Sequence, residues 1–133
     1  MKPLPARIVR SLPVGSRIET CDNSGAKIIR IFAVKGQKTV KGRYPAAGIG
    51  DLVNASIIKG KPGMKKQVVQ AVIVRQRKEY RRLTGERVKF EDNAAVVVKD
   101  DKGNPQGTIL KGPIAKEITA KWPSIAKLAK IIV

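Results

Sequence analysis

The residues of this sequence that are best suited to binding chemistry are basic, and they concentrate in residues 74–90, VRQRKEYRRLTGERVKF. The basic members are Arg75, Arg77, Lys78, Arg81, Arg82, Arg87 and Lys89, and only Glu79 and Glu86 oppose them. Apolar segments flank this stretch, which predicts a hairpin that joins two buried strands. The charges within this hairpin repel one another. Guanidinium groups bind phosphates through paired hydrogen bonds. The pattern therefore indicates recognition of a polyanion by a loop whose tip, with Arg81 and Arg82, is expected to lack core contacts.

Two further segments are also rich in basic residues. Residues 35–48, KGQKTVKGRYPAAG, are long for a connection in a compact domain, and such loops are usually functional or disordered. Residues 59–66, KGKPGMKK, combine lysines with glycine and proline, which lets a backbone come close to a ligand. More basic residues lie near the start of the chain, at Lys2, Arg7, Arg10 and Arg17. The predicted nucleic-acid-binding residues are Arg7, Arg10, Lys35, Lys38, Lys41, Arg43, Tyr44, Lys59, Lys61, Lys65, Lys66, Arg75, Arg77, Lys78, Arg81 and Arg82.

The overall charge supports this interpretation. Lys and Arg number 28 against 10 Asp and Glu, a formal net charge of +18, and both halves of the chain share the excess. A single basic run is normally a solvated face, but several loops of one sign would destabilise a compact chain unless a polyanion offset them. Aromatic residues make up only 4% of the chain, and Phe32 and Phe90 are predicted to lie in the core. A row of stacking rings is therefore not expected, and recognition of RNA backbone and shape is favoured.

Other classes of chemistry are disfavoured. The chain has no histidine and one cysteine, so no metal site, cofactor, disulfide framework or small-molecule substrate is expected, and Cys21 is predicted to be a packing residue. The pair Glu91-Asp92 could suggest acid–base catalysis, but adjacent strand residues point to opposite faces. We interpret the pair as turn-forming and as counter-charges to nearby arginines. No stretch has the length of a membrane-spanning helix or the features of a secretory signal, so a soluble intracellular protein is expected.

The elements that must position these residues are mainly strands. Val and Ile far outnumber Leu, a bias typical of sheets. Strands are predicted at residues 17–20, 27–34, 51–59, 68–75, 87–90 and 94–99, with a last edge strand at 108–110. Such short strands separated by turns indicate a small barrel or sandwich. A free-standing RNA- or DNA-binding barrel, such as a cold-shock or initiation-factor-like module, remains an alternative, although it would require surface aromatics in a row.

The C-terminal segment changes period. From Gly112-Pro113 onward the apolar residues recur at helical spacing, at Ile114, Ile118, Trp122, Ile125, Ala129 and Ile132. Pro123 does not fit a helix interior, so two short helices broken at this residue are predicted. Their apolar face is expected to cover an open end of the barrel, which leaves the lysines of this segment on the opposite side.

Four motifs give the chain a family resemblance. TCDNSGAK at 20–27, the Gly50-Asp51 pair, residues 71–98 around VKFEDNAAVVV, and GTILKGPIAKE at 107–117 resemble the family of large-ribosomal-subunit protein fourteen, in its archaeal and eukaryotic-type branch. The resemblance covers nearly the whole chain. It departs from the family at Thr84-Gly85, where Asp-Gly or Asn-Gly is expected and Thr is less suited to a left-handed turn.

The resemblance implies a fold and a function. The implied fold is all-β with a small helical C-terminus: a single domain in which a five-stranded closed β-barrel, about 15–111, precedes two short helices in a tail at about 112–133. The implied function is a structural one in the large ribosomal subunit in the cytoplasm, with direct binding to large-subunit rRNA and bridges to small-subunit rRNA. Implied protein neighbours are large-subunit proteins three and twenty-four-e, and an anti-association factor docking near the helices. The candidate docking residues for that factor are Lys116, Lys121 and Lys127.

Overall fold

The computed structural model describes residues 3–133, so Lys2 lies outside the described part of the chain. Most of its elements are short strands. The strands are β1 (Ala6–Arg7), β2 (Leu12–Pro13), β3 (Arg17–Thr20), β4 (Ala26–Val34), β5 (Ala46–Ala47), β6 (Leu52–Gly60), β7 (Val68–Arg75), β8 (Tyr80–Arg82), β9 (Arg87–Val88), β10 (Ala94–Val98), β11 (Pro113–Ile114) and β12 (Ile131–Ile132). The helices are α1 (Glu117–Lys121) and α2 (Pro123–Leu128).

Five of the strands close into a barrel in the order β10–β3–β4–β6–β7. Neighbouring strands are antiparallel except β10 and β3, which are parallel. Small and β-branched side chains from all five strands fill the interior, among them Ile18, Ile29, Val53, Ile73 and Val97. This architecture, with its two short C-terminal helices, confirms the predicted fold class.

Strand β10 and the second half of β7, from Ala71 onward, are buried on both faces. Ala71 and Ile73 of β7 point into the barrel, whereas Val72 and Val74 pack in a second cluster that includes Trp122. Residues of β10 alternate between the two clusters in the same way. Double burial explains why these segments are apolar at nearly every position instead of at alternate positions.

The turn after β3 completes the barrel with side chains. Oδ2 of Asp22 accepts a hydrogen bond from Val97 N at 3.0 Å. The two residues lie two positions beyond Thr20 and Ala95, the last paired residues of β3 and β10. Oδ1 of Asn23 accepts bonds from the backbone N–H groups of Thr108 and Ile109. Burial raises the pKa of the Asp22 carboxyl group, and its hydrogen bonds partly counter that rise. The same region confirms Cys21 as a buried packing residue.

Residues 76–93 leave the barrel between β7 and β10. Within them β8 and β9 form a hairpin, and β1 adds to β8 to make a three-stranded sheet. Gly85 N donates to Arg82 O at 2.9 Å, and Gly85 has φ +93°, the left-handed position of the turn. Within this turn Gly85 is the residue with positive φ, and Thr84 does not adopt that conformation. The departure from the family pattern at Thr84 therefore causes no backbone strain.

The C-terminal helices cover one side of the barrel. Pro123 begins α2, as predicted, and Ile118, Trp122 and Ile125 are buried. Nε1 of Trp122 donates to Gly50 O at 2.8 Å, which anchors the junction of the two helices to the barrel. The predicted helical stripe was wrong at both ends: Ile114 lies in β11, and Ile132 lies in β12 and is exposed, because the chain turns after α2 so that β12 pairs with β11. Neither helix has the length and apolar character needed to span a bilayer, as far as residues 3–133 are concerned.

Two other predictions from the sequence were wrong. Phe32 was expected in the core but is 47% exposed, because it alternates with the buried Ile31 and so shares the outward face of β4 with Arg30. The edge strand expected at 108–110 is reduced to an isolated bridge between Leu110 and Asp22. Phe90 is buried, as predicted.

Candidate nucleic-acid interface

Three arginines lie side by side on one face of the small sheet. Arg7 of β1 is paired with Arg81 of β8, and Arg81 is paired with Arg87 of β9. All three are exposed, and directly opposed strand residues have Cβ atoms about 4.5–5.5 Å apart. The acidic residue bound to this row is Glu79, whose Oε1 accepts a hydrogen bond from Arg87 Nη1 at 3.2 Å. We call Arg7, Arg81 and Arg87 the arginine row.

The other face of the same sheet is anchored to the core. Tyr80 is buried, and its hydroxyl donates to Glu117 Oε2 at 2.7 Å. Nε of Arg82 donates to Glu117 Oε1 at 2.7 Å, and Arg82 Nη2 donates to Val133 O at 2.6 Å. Burial, followed by the bond to Glu117, raises the pKa of the Tyr80 hydroxyl. The alternation of side chains along β8 therefore presents Arg81 to solvent by fixing its two neighbours inside.

Arg75 also forms its hydrogen bonds within the protein. It is buried at the end of β7, where Nε donates to Asp92 Oδ1 at 2.9 Å and Nη2 donates to Oδ2 at 3.1 Å. Its Nη1 donates to the carbonyl oxygens of Lys111 and Pro113, both at 2.9 Å. The interpretation of Asp92 as a counter-charge is confirmed. Arg75 and Arg82 thus make structural ion pairs, and the expectation that Arg82 sits on a tip without core contacts was wrong.

A buried amide holds together the segments that carry three further predicted residues. Nε2 of Gln76 donates to Val9 O at 3.2 Å and to Lys78 O at 2.9 Å, and its Oε1 accepts from Ile49 N at 3.0 Å. Arg10 follows Val9 directly, and Arg77 lies between Gln76 and Lys78. The predicted residues brought together at this junction are Arg10, Arg77 and Lys78, all of them exposed.

The loop at 35–48 presents most of its basic residues to solvent. Lys38, Lys41 and Arg43 are exposed, and Tyr44 is 80% exposed. Lys41 has φ +60°, a conformation unusual for a residue with a side chain. Lys35 differs from the others because its ammonium group is paired with Asp101.

The loop at 59–66 approaches the outer face of the barrel. Lys66 N donates to Ile57 O at 2.8 Å, and Lys61 N donates to Gly25 O at 3.0 Å. The four predicted lysines Lys59, Lys61, Lys65 and Lys66 are exposed. Lys65 and Lys66 share a groove with Arg17 and Arg30, neither of which was among the predicted binding residues. The outward position of Arg30 in the alternating strand KIIRIFAV was the signal that could have identified it.

The C-terminal lysines are not equivalent. Lys116 and Lys127 are exposed. Lys121 is partly buried, and its Nζ lies 5.7 Å from the centre of the Trp122 ring, where cation–π attraction favours it. The first two lysines are therefore available at the surface, whereas the third also supports the packing of the helices.

Comparisons with known proteins agree on one group. The family model described as ribosomal protein L14p/L23e matches residues 11–133. The chain is 56% identical over 133 residues to large ribosomal subunit protein uL14 of Nanoarchaeum equitans, covering 100% of both chains. It is 52% identical over 132 residues to the uL14 proteins of Methanococcus vannielii and of Methanococcus maripaludis strain DSM 14266, covering 99% of each chain.

Proposed function

Since this chain belongs to the ribosomal protein L14p/L23e family, we propose that it binds large-subunit rRNA directly and contributes to bridges with small-subunit rRNA. As a member of the family it is a structural protein of the large ribosomal subunit in the cytoplasm and not an enzyme. RNA binding and translation are the roles that follow from the family. The proposal concerns which molecules it touches within the ribosome, and through which residues.

The arginine row is the observation that supports direct rRNA binding most strongly. Like charges directly opposite one another destabilise a sheet, and Arg7, Arg81 and Arg87 stand opposite one another with Glu79 as their acidic neighbour. Arginine side chains match phosphate groups in geometry as well as in charge. Phosphates of an RNA backbone would turn the repulsion within this row into attraction.

The test compares two variants that lose equal charge. Arg7→Gln, Arg81→Gln and Arg87→Gln, combined, should weaken binding to isolated large-subunit rRNA in a filter-binding assay. The combined control variant Lys102→Gln, Lys111→Gln and Lys130→Gln removes three exposed lysines elsewhere. Equal loss of affinity in the two variants would show that net charge alone acts, and the arginine row would lose its assigned role.

The salt dependence of binding measures the number of phosphate contacts. The logarithm of affinity should fall linearly with the logarithm of salt concentration, with a slope of about −0.7 to −0.9 per phosphate contact. The arginine-row variant should therefore show a shallower slope than the wild type. A flat salt dependence in the wild type would contradict rRNA binding dominated by phosphates.

Protein partners form a second part of the proposal. Association with other ribosomal proteins follows from the family, and we infer that proteins three and twenty-four-e are among them. An anti-association factor is inferred to dock on the exposed lysines of the helical tail. Lys116→Glu with Lys127→Glu should reduce factor binding without lowering the melting temperature. Lys121→Glu is unsuitable as a test because it would also remove a cation from the Trp122 ring.

A further inference from the structure

A second group of like charges lies on the outer face of the barrel. Arg17 of β3 is paired with Arg30 of β4, and Arg30 is paired with Ser56 of β6. These three residues line a groove together with Lys65 and Lys66, and none of the residues lining that groove is acidic. Four cations therefore surround one hydroxyl group, at positions that the folded protein leaves without a counter-charge in the groove.

The backbone at one of these cations is strained. Lys66 has φ +68°, a left-handed conformation that costs energy for any residue with a side chain. Hydrogen bonds from Lys66 N to Ile57 O at 2.8 Å and from Ile57 N to Gln67 O at 3.0 Å hold it against β6. Strained residues persist where the surrounding structure fixes them, and they concentrate at sites that bind ligands. These hydrogen bonds keep Lys65 and Lys66 beside the two arginines in spite of the strain.

An exposed aromatic ring lies next to this group on the same strand. Phe32 is two residues from Arg30, about 7 Å along β4, and its exposed side chain shares the outward face of the strand with Arg30. Phe32 lines a neighbouring groove with Asn54 of β6 and Gln70 of β7. Nε2 of Gln70 donates to Asp101 Oδ1 at 2.7 Å, which fixes the position of its amide. An aromatic face with adjacent amides is the arrangement that binds an unstacked base.

We propose that this outer surface of the barrel binds one unstacked nucleotide of RNA. The phosphate is held by the group of Arg17, Arg30, Lys65 and Lys66, and the base stacks on Phe32 with its edge toward Asn54 and Gln70. The separation of Arg30 and Phe32 matches the reach from phosphate to base within a nucleotide. The inference rests on the proposed binding of rRNA and adds to it a site that reads a base.

Charge and shape favour RNA as the occupant. An acidic peptide could satisfy the cations, but it would leave Phe32 without the flat partner that a base provides. Cations and an aromatic ring at the spacing of one nucleotide are the combination used to bind single strands. Tyr44, the other exposed aromatic residue in the described part of the chain, lies in the loop at 35–48. The site therefore takes a single nucleotide that a folded RNA exposes, instead of a run of stacked bases.

The experiment measures binding of short RNAs to the full chain by fluorescence anisotropy. The probes are oligoadenylate, oligouridylate and a blunt RNA duplex. Phe32→Ala should weaken binding of the single-stranded probes about 5- to 100-fold, as expected for loss of one base–aromatic stack, and should leave duplex binding unchanged. Arg30→Gln should weaken binding of all three probes. Ile109→Ala and Lys102→Gln are the matched controls, because both residues are exposed and lie outside these grooves.

The outcomes separate this site from the proposed function. If Phe32→Ala binds the single-stranded probes as the wild type does while rRNA binding persists, the nucleotide site is refuted and rRNA binding stands. If the wild type binds neither rRNA nor the probes, the proposed function itself fails. Binding of polyglutamate in place of the oligonucleotides, abolished by Arg30→Gln, would assign the surface to a protein partner and would also overturn the inference. Melting curves confirm that each variant is folded.

Discussion

Nε of Arg82 lies 2.7 Å from Oε1 of Glu117, and both side chains are largely buried, with 15% and 3% of their surfaces exposed. The bond joins the three-stranded sheet to α1. The hydrogen bond that Arg82 donates to Glu117 raises the pKa of Arg82, so the guanidinium stays charged throughout the physiological range. The sheet that carries the arginine row is therefore held to the body of the protein by an ion pair formed on its other face.

Arg82→Ala should lower the free energy of unfolding by about 3–5 kcal/mol, because it leaves the Glu117 carboxylate buried without its cationic partner. Urea denaturation with equal slopes for variant and wild type measures the change. Arg81→Ala is the matched control, since its side chain is exposed, and it should change stability by no more than about 0.5 kcal/mol. Equal effects of the two substitutions would contradict the structural role assigned to Arg82.

Trp122→Ala should cost about 3–5 kcal/mol of stability, as for a large aromatic side chain removed from a core. Trp122 is 2% exposed and donates a hydrogen bond to Gly50 O. Trp122→Phe keeps most of the apolar contact and loses the donor, so it should cost clearly less. Chemical denaturation of the three proteins gives both differences. A negligible effect of Trp122→Ala would mean that the helices are not needed to cover the barrel.

Stability should fall as pH rises from about 9 to 11, through Cys21. Burial raises the pKa of its thiol from 9.0 to about 11. Over this interval the unfolded chain loses the thiol proton and the folded chain keeps it, so the contribution is complete below pH 9 and declines by about 2–3 kcal/mol as pH approaches 11. The free energy of unfolding of Cys21→Ala, measured by denaturation at each pH, should fall less steeply between pH 9 and 11 than that of the wild type. An equal fall in both proteins would exclude this role for Cys21.

The tip of the loop at 35–48 should exchange its amide protons quickly in the free protein and slowly in assembled subunits. Lys38, Lys41 and Arg43 are exposed, whereas Ala46 and Ala47 pair with β2 and should be protected in both states. Hydrogen-exchange mass spectrometry of the free and assembled protein measures the difference. The internal control is β7, which should be protected throughout. Fast exchange of the tip that persists after assembly would count against a role in RNA binding.

The sequence predicted the barrel well because its signals are local. The bounds of β7 agree with the prediction from an apolar run, and Pro123 marks the start of α2. The roles of individual arginines were harder to predict, because Arg75 and Arg82 find their acidic partners far along the chain, at Asp92 and Glu117. Charge density alone does not distinguish an arginine bound within the protein from one available to RNA.

The positions of outward-facing residues depend on strand register. The arginine row exists because β1 aligns Arg7 with Arg81, and no local pattern of the sequence sets that alignment. Phe32 was placed in the core, whereas alternation with the buried Ile31 puts it on the outward face of β4 beside Arg30. The alignment of strands that are distant in sequence is invisible in a hydrophobic pattern, yet it decides which side chains meet at a ligand.

The parallel pairing of β3 with β10 sets an order for folding during synthesis. Thr20 pairs with Ala95, so the barrel cannot close until β10 has left the exit tunnel. At synthesis rates of roughly 5–20 residues per second, β3 waits roughly 4–15 s for its partner. Throughout that time the nascent chain presents two open strand edges and a concentrated positive charge. A folding defect should therefore appear first as aggregation of incomplete chains, and truncation before β10 should yield an insoluble product even though four barrel strands are present.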